Sequence, residues 1–505
     1  LKPAVSLPMI SRRQMLFGFS AMAASSVFTG CGSSLYTGMS LPSGQRVANQ
    51  QPLPVGAMTA ATLTVGLGVV GRVAGNFVGL AYEKRSLSGP LFSGANADLI
   101  GMFGRLGTSV LRLGGASVDE SVWTPVGRGQ IAGQIAPADV DALAAFLRAT
   151  GWSCIYGINL GGSATGATTA ELAAAEVAYV SEALGTALVG VEIGNECETY
   201  GGAASYYPFD WTVEKFETLW GQYRDAIVAR TPNAPMVGPA AGSDVGGWTI
   251  PFGESVTQKQ IGMVTQHYYR GTAGEAASVE DLVSADEDLA GELTLLREGA
   301  ESIGVPYRMA ESNSYAGGGV AGVSNAYAAS LWAMDMVFQC GLGGASGINF
   351  QSGGDGYSTV IEDTAGVVVG PRPVFYGLLM AAMAGAGTLL SNELNVGGLN
   401  VTAYAVQGAD GGMSLVVVNK DGAQNLDLSI SLPGVMRSAT LQGLTQLSAG
   451  ASVPRLTATS GVSLQGGSVA VDGEFVPEEA YDLTVSGEQV SCYVPALSAV
   501  LVRLA

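Results

Sequence analysis

From Gly75 to about Gly387, short runs of aliphatic and aromatic residues alternate with longer amphipathic stretches, and that rhythm belongs to repeated βα units. The alternation predicts strands at 77–82, 109–113, 153–159, 188–194, 236–239, 262–266, 306–310 and 346–350. Helices are expected at 97–106, 137–149, 170–184, 213–230, 280–303, 324–340 and 374–384, with none clear after the fifth strand. Eight such units suit an α/β fold closed as a (β/α)8 TIM barrel over 75–387 better than an open doubly wound sheet. No Gly-rich phosphate fingerprint follows the first strand, so a dinucleotide cofactor has no support, and no cofactor is expected.

Beyond about Leu389 the pattern changes to strands separated by turn signals such as Ala409-Asp-Gly-Gly412 and Lys420-Asp-Gly422. This predicts a C-terminal antiparallel β-sandwich domain over 388–505. The stretch 59–65 also reads as a strand, and the segment 58–74, lying ahead of the barrel, is expected to join that sandwich. With 505 residues, 48% of them hydrophobic, the chain can bury two cores. Its formal charge of −19 repels nucleic acid and sulfated polymers alike.

Residues 1–31 read as an address. Ser11-Arg-Arg-Gln-Met-Leu16 is a twin-arginine pattern, an apolar run follows to Phe28, and Phe28-Thr-Gly-Cys31 resembles a lipoprotein cleavage box. The alternative is a buried apolar helix. Export to the periplasm or the outside is expected, with a lipid anchor through Cys31, a flexible segment at 32–57 and no transmembrane span in the mature chain. Cys154, Cys197, Cys340 and Cys492 match no metal spacing and read as buried free thiols. A single histidine, His267, argues against a His-based triad or a His-rich metal site.

Two strands end in carboxylates. Leu188–Gly194 breaks into Asn195 and Glu196, and the seventh strand ends at Glu311. A parallel barrel carries its chemistry at the carboxyl ends of its strands. Two carboxylates there are what glycoside hydrolysis requires: one to protonate the leaving oxygen, one to attack the anomeric carbon.

Arg112-Leu-Gly-Gly115, Gly194-Asn-Glu196, His267-Tyr-Tyr269, Glu311 and Arg372-Pro-Val-Phe-Tyr-Gly377 together resemble glycoside hydrolase family 79, which includes heparanase and bacterial β-glucuronidases. The resemblance covers roughly Phe77 to the C-terminus and implies a carbohydrate substrate. It implies Glu196 as general acid/base, Glu311 as nucleophile and Asn195 as the contact to the sugar 2-hydroxyl. Arg112 and Tyr268 are then the groups that keep Glu311 ionised, although Arg112 paired with Glu192 inside the barrel is an equally physical reading. Glu83 and Asp119 are expected at the sugar hydroxyls, and Gln266 beside them in the binding set. Tyr315, Gly317 and Tyr357, in two Gly-rich loops, are expected to hold a uronic carboxylate by neutral donors; loops that merely turn are the alternative. His267 is expected to be structural, Glu198 a surface charge, and Arg270 a lining of the leaving-group site. Cys197 departs from the proline usual in the clan. An exo-acting β-glucuronidase is the first reading; a β-xylosidase or β-glucosidase-like enzyme, or an inactive sugar-binding lipoprotein, are the others.

Overall fold

The computed structural model describes residues 48–202, 206–257, 260–274, 276–354, 356–363, 365–447 and 453–505. The export signal and the Cys31 box lie outside the described residues, as does most of the expected flexible segment.

Eight parallel strands close into a barrel in chain order: Val78–Glu83, Val110–Gly114, Ser153–Ile158, Leu188–Ile193, Met236–Ala241, Val264–Thr272, Tyr307–Ala316 and Ile348–Ser352, the last pairing back onto the first. Helices pack outside it, among them Ala170–Leu184 and Val213–Arg230, whose bounds match the sequence expectation. Two regions differ. The sixth and seventh strands run about six residues further than their apolar cores, because their polar continuations stay in register up to Tyr315 opposite Gly271 and Ala316 opposite Thr272. The long helix expected at 280–303 is interrupted, and Asp286 caps the restarted helix Glu287–Ile303 by accepting from Leu289 N. After the fifth strand, a π-turn at Val245–Thr249 leads into the short helix Ile250–Ser255.

The second domain is one eleven-stranded sheet, ten strands in a continuous path with Tyr481–Leu483 paired beside it, that curls into a β-sandwich. Ala57–Val73 lies inside it, antiparallel to Gly387–Asn395 and parallel to Gln424–Ser431, so the sheet grips the barrel's two chain ends. Alternation then sorts each strand between two cores. Val416 and Val418 of Met413–Asn419 join the barrel core, while Leu415 and Val417 face the sandwich's own; Leu501 and Val502 of Ser498–Leu504 divide the same way. Between sheet and barrel, helix Tyr327–Leu342 is buried nearly all round, and the Tyr327 hydroxyl donates to Leu497 O at 3.0 Å. Cys154, Cys197, Cys340 and Cys492 are buried and unpaired. No helix of the described residues is long and apolar enough to cross a membrane.

One buried ion pair fastens the domains. Asp335 of helix Tyr327–Leu342 meets Lys420 of the sheet and also accepts from Tyr404 OH at 2.9 Å and from the Thr402 hydroxyl. Removing one partner of such a pair strands the other in a low-dielectric setting. Asp335→Ala is therefore expected to lower the free energy of urea unfolding by about 3–5 kcal/mol. A loss under about 1 kcal/mol would mean that Lys420 reaches solvent on its own.

Candidate functional site

Arg112 is the centre from which the barrel mouth is built. It is fully buried, and its guanidinium donates from Nε to Glu192 at 2.7 Å, from Nη1 to Glu311 at 2.6 Å and from Nη2 to the Asn195 carboxamide oxygen at 2.9 Å. It pairs with Glu192 below and with Glu311 above. Burial alone would lower its pKa, but the charges of Glu192 and Glu311 outweigh that and raise it. Gly114 is the condition for this pose, since a β-carbon there would stand 2.2 Å from the guanidinium carbon. With its oxygen taken, Asn195 has its amino group left to donate.

Glu311 is 6% exposed and doubly held, by Arg112 on Oε2 and by the Tyr269 hydroxyl on Oε1 at 2.8 Å. Burial first, then the charge of Glu311, pushes the Tyr269 phenol far above its ordinary range, so it stays a donor. Glu196 faces it with less support. Its carboxyl is about a third exposed and contacts His267 Nδ1 at 3.0 Å. Glu196 sits at a left-handed φ of 49°, its N–H donates to Ala240 O, and only a glycine at 242 leaves room for the carboxyl, 2.5 Å from where a β-carbon would be. Burial pushes the Glu196 carboxyl up, but the hydrogen bond and charge of His267, then the charge of Arg112, outweigh it and hold the group below the usual range. One oxygen of each glutamate and a ring nitrogen of His267 all lie within 4.8 Å of one another.

Those three side chains could in principle hold a cation. Both Glu311 oxygens already accept hydrogen bonds, one from a fixed cation, and a dication beside the Arg112 guanidinium would be repelled. The set suits carboxylate chemistry better than metal binding.

Several expectations are corrected. Tyr268 turns away from the mouth and donates to both oxygens of Asp286 at 2.8 Å, while Tyr269 makes the contact expected of it. The reason is the period of two: His267 and Tyr269 share the inner face of the sixth strand, and Gln266 and Tyr268 the outer one. Gln266 accordingly bonds Thr249 and is not in the site. His267 is no bystander but the partner of Glu196. Asp119 is a staple under the loops, accepting from Leu160 N, Gly161 N and Tyr200 OH; burial pushes its carboxyl up to about 6. Tyr315 donates to Asp281 at 2.6 Å in a cluster with Arg270, which also pairs with Asp286, so neither Tyr315 nor Arg270 is offered to the mouth.

Glu83, Gly317 and Tyr357 are placed nearer the expectation. Glu83 accepts from Ser117 N at 2.9 Å, and burial, then the charge of Glu311, raises its pKa against that hydrogen bond. Gly115, at φ 73°, allows its approach. The Tyr357 ring lies 6.0 Å from that of Tyr269. Gly317, Gly318 and Gly319 all have positive φ, and their loop packs on the second Gly-rich loop, where a β-carbon on Gly356 would meet Gly318 O at 2.8 Å.

The architecture is shared with solved glycosidases. A 4-O-α-L-rhamnosyl-β-D-glucuronidase from Fusarium oxysporum 12S, in complex with Rha-GlcA, superposes at TM-score 0.71 with 18% identity, over 87% of this chain and 99% of that one. A GH51 arabinofuranosidase from Xanthomonas axonopodis pv. citri gives 0.66 at 15% identity, over 89% and 100%. CelM2, a bifunctional glucanase-xylanase from a metagenome library, gives 0.61 at 13%, over 88% and 99%. No family model and no curated protein matches the sequence.

Glu198 supplies a test of the site's electrostatics. Expected on the surface, it instead accepts from Gly242 N at 2.6 Å and Ser243 N at 2.9 Å, its second oxygen is buried without a partner among the described residues, and burial, with the charge of Glu196 adding to it, pushes the carboxyl up to about 7. A carboxyl that binds its proton more tightly folded than unfolded lends stability that is complete at low pH and lost as pH rises through the folded value. The unfolding free energy of the wild type, measured against Glu198→Gln, should therefore fall from about pH 5 to about pH 8. A difference that is flat or rising over that window would show Glu198 ionised throughout.

Proposed function

We propose that the protein is a retaining glycosidase acting by double displacement, with Glu311 as nucleophile and Glu196 as general acid/base. The observation that carries this reading is the pair itself: carboxylate oxygens within 4.8 Å, in opposite surroundings. Retention needs carboxyl groups ~5–5.5 Å apart, close enough for direct attack, whereas inversion needs ~6.5–9.5 Å to admit a water. Arg112 and Tyr269 donate to the two oxygens of Glu311, fix it in the mouth, and stabilise it again when it departs from the glycosyl-enzyme. Glu196, in hydrogen-bond contact with His267 Nδ1, donates a proton to the leaving oxygen and then takes one from the attacking water. Asn195, its oxygen fixed by Arg112, presents its amino group to the sugar 2-hydroxyl.

For the substrate we infer a terminal β-D-glucuronide, cleaved from a glycan or glycoconjugate, in keeping with the likeness to glycoside hydrolase family 79. Tyr357 beside Tyr269 and the Gly317 loop packed against it support this reading, as does a neighbour described as a rhamnosyl-β-D-glucuronidase. Engagement of Tyr315 by Asp281 favours a second one: with that donor withdrawn, a neutral glycoside, such as a xyloside or arabinofuranoside, fits with less cost. Export, with Cys31 as a lipid anchor, belongs to the same proposal. A panel of nitrophenyl glycosides separates the two substrates directly, and a preference for a neutral sugar would end the glucuronide reading.

Glu311→Gln is expected to abolish turnover of every glycoside. Glu196→Ala should spare the first step for a good leaving group, which needs no protonation, and azide should then yield a glycosyl azide of retained configuration. An inverted azide would contradict these roles. Tyr269→Phe should lower kcat/KM by roughly ten- to hundredfold, the loss of a hydrogen bond to a charged acceptor, while Tyr268→Phe leaves it nearly unchanged. Equal losses would mean that the two phenols act only through the fold. Tyr357→Phe should cost a β-glucuronide roughly tenfold or more in kcat/KM and a β-glucoside much less; equal losses on both would remove Tyr357 from carboxylate recognition.

A further inference from the structure

At the end of the barrel opposite the two glutamates, the amino ends of the strands enclose a cavity of about 540 Å³. Its wall is mainly apolar: Val110, Ile155, Val237 and Met263 form a small cluster of their own, separate from the main core. Arg308 is set in that wall. It is 2% exposed, and its guanidinium donates from Nε to the Asn349 carboxamide oxygen at 2.6 Å and from Nη2 to the backbone oxygens of Phe77 and Asn76 at 3.3 and 3.4 Å. Nη1 has no hydrogen-bond partner among the described residues, and no carboxylate among them pairs with this arginine. Burial accordingly pulls its pKa down, to about 9, which still leaves it charged at neutral pH.

A buried charge is normally paired, and leaving one unpaired is costly. The chain nevertheless makes room for this one. A β-carbon at Gly347 would stand 2.0 Å from Nη1, and one at Gly79 would stand 2.9 Å from Nη2. A second arginine, the exposed Arg72, lies on the same cavity. An apolar chamber of this size with a few convergent polar groups is the ordinary form of a small-molecule site. We propose that this cavity binds an amphipathic monocarboxylate, its acid group on Arg308 and its apolar body among Val110, Ile155, Val237 and Met263. A single carboxylate matches the one buried cation of the wall.

Octanoate is the probe and 1-octanol its neutral counterpart, each titrated calorimetrically into the full chain. Octanoate is expected to bind, and to bind Arg308→Met at least tenfold more weakly, about 1.4 kcal/mol, while octanol binds the two proteins alike. Met263→Trp, which fills the chamber and leaves Arg308 in place, should abolish binding of both without lowering the thermal midpoint. It decides the matter if the arginine variant does not fold. Absence of octanoate binding in the millimolar range, equal octanoate affinity with and without Arg308, or binding that survives Met263→Trp would each overturn the proposal.

Discussion

The mouth of the barrel depends on one guanidinium. Arg112 rises from the second strand and reaches Glu192 and Asn195 at the end of the fourth and Glu311 on the seventh, so a single cation ties three strands that are not all neighbours. Taking an ion of this size out of water costs several kcal/mol, which two carboxylates in contact offset. Two carboxylates sharing one cation leave the trio with a net negative charge, and that surplus faces the opening. Glu192, with no exposure, is the counter-ion that belongs to the fold; Glu311, at the edge of solvent, is the one that belongs to the site. The interactions that tie the barrel strands together and those that fix Glu311 at the mouth are therefore the same hydrogen bonds.

The second glutamate is treated differently because its strand ends sooner. The fourth strand stops at Ile193, and a left-handed residue then swings Glu196 across toward the fifth strand's Gly242, where His267 from the sixth meets it. The sixth and seventh strands continue past the level of the apolar core, and that extension carries Tyr269 and Tyr357's neighbour loop above Glu311. One carboxyl ends with both oxygens engaged and the other with a single titratable partner. The two glutamates thus differ in environment rather than in residue type.

The barrel and both glutamates were legible in the sequence because they rest on signals that survive without tertiary context: eight apolar runs, and carboxylates at two strand ends. The turns of the second domain stand out in the sequence, but the strands Gly387–Asn395, whose polar Ser391 and Asn392 interrupt the apolar pattern, and Val462–Leu464, only three residues long, do not. The errors share one cause. Counting in twos from His267 puts Tyr269, not Tyr268, on the inner face. Asp119, Tyr315 and Glu198 carry the right chemical groups in the right loops, but each is claimed by a partner distant in sequence: Tyr200, Asp281 and the amides of Gly242 and Ser243. No local pattern announces which polar group will be spent on holding a loop.

Glycine is the other half of the same economy. The chain spends glycines opposite its buried arginines: Gly114 against Arg112 near the carboxyl ends of the strands, Gly79 and Gly347 against Arg308 near the amino ends. In each case a side chain at the glycine would crowd the guanidinium, so the pairing of arginine with glycine sets where charge sits along the barrel axis. The two ends then differ only in what answers that charge. At one end two glutamates supply it and the centre is complete; at the other an amide oxygen and two carbonyls satisfy part of the hydrogen bonding and none of the charge. Hydrogen bonds to neutral acceptors orient a cation without neutralising it, so the amino end of the barrel keeps an electrostatic demand that its own residues do not meet.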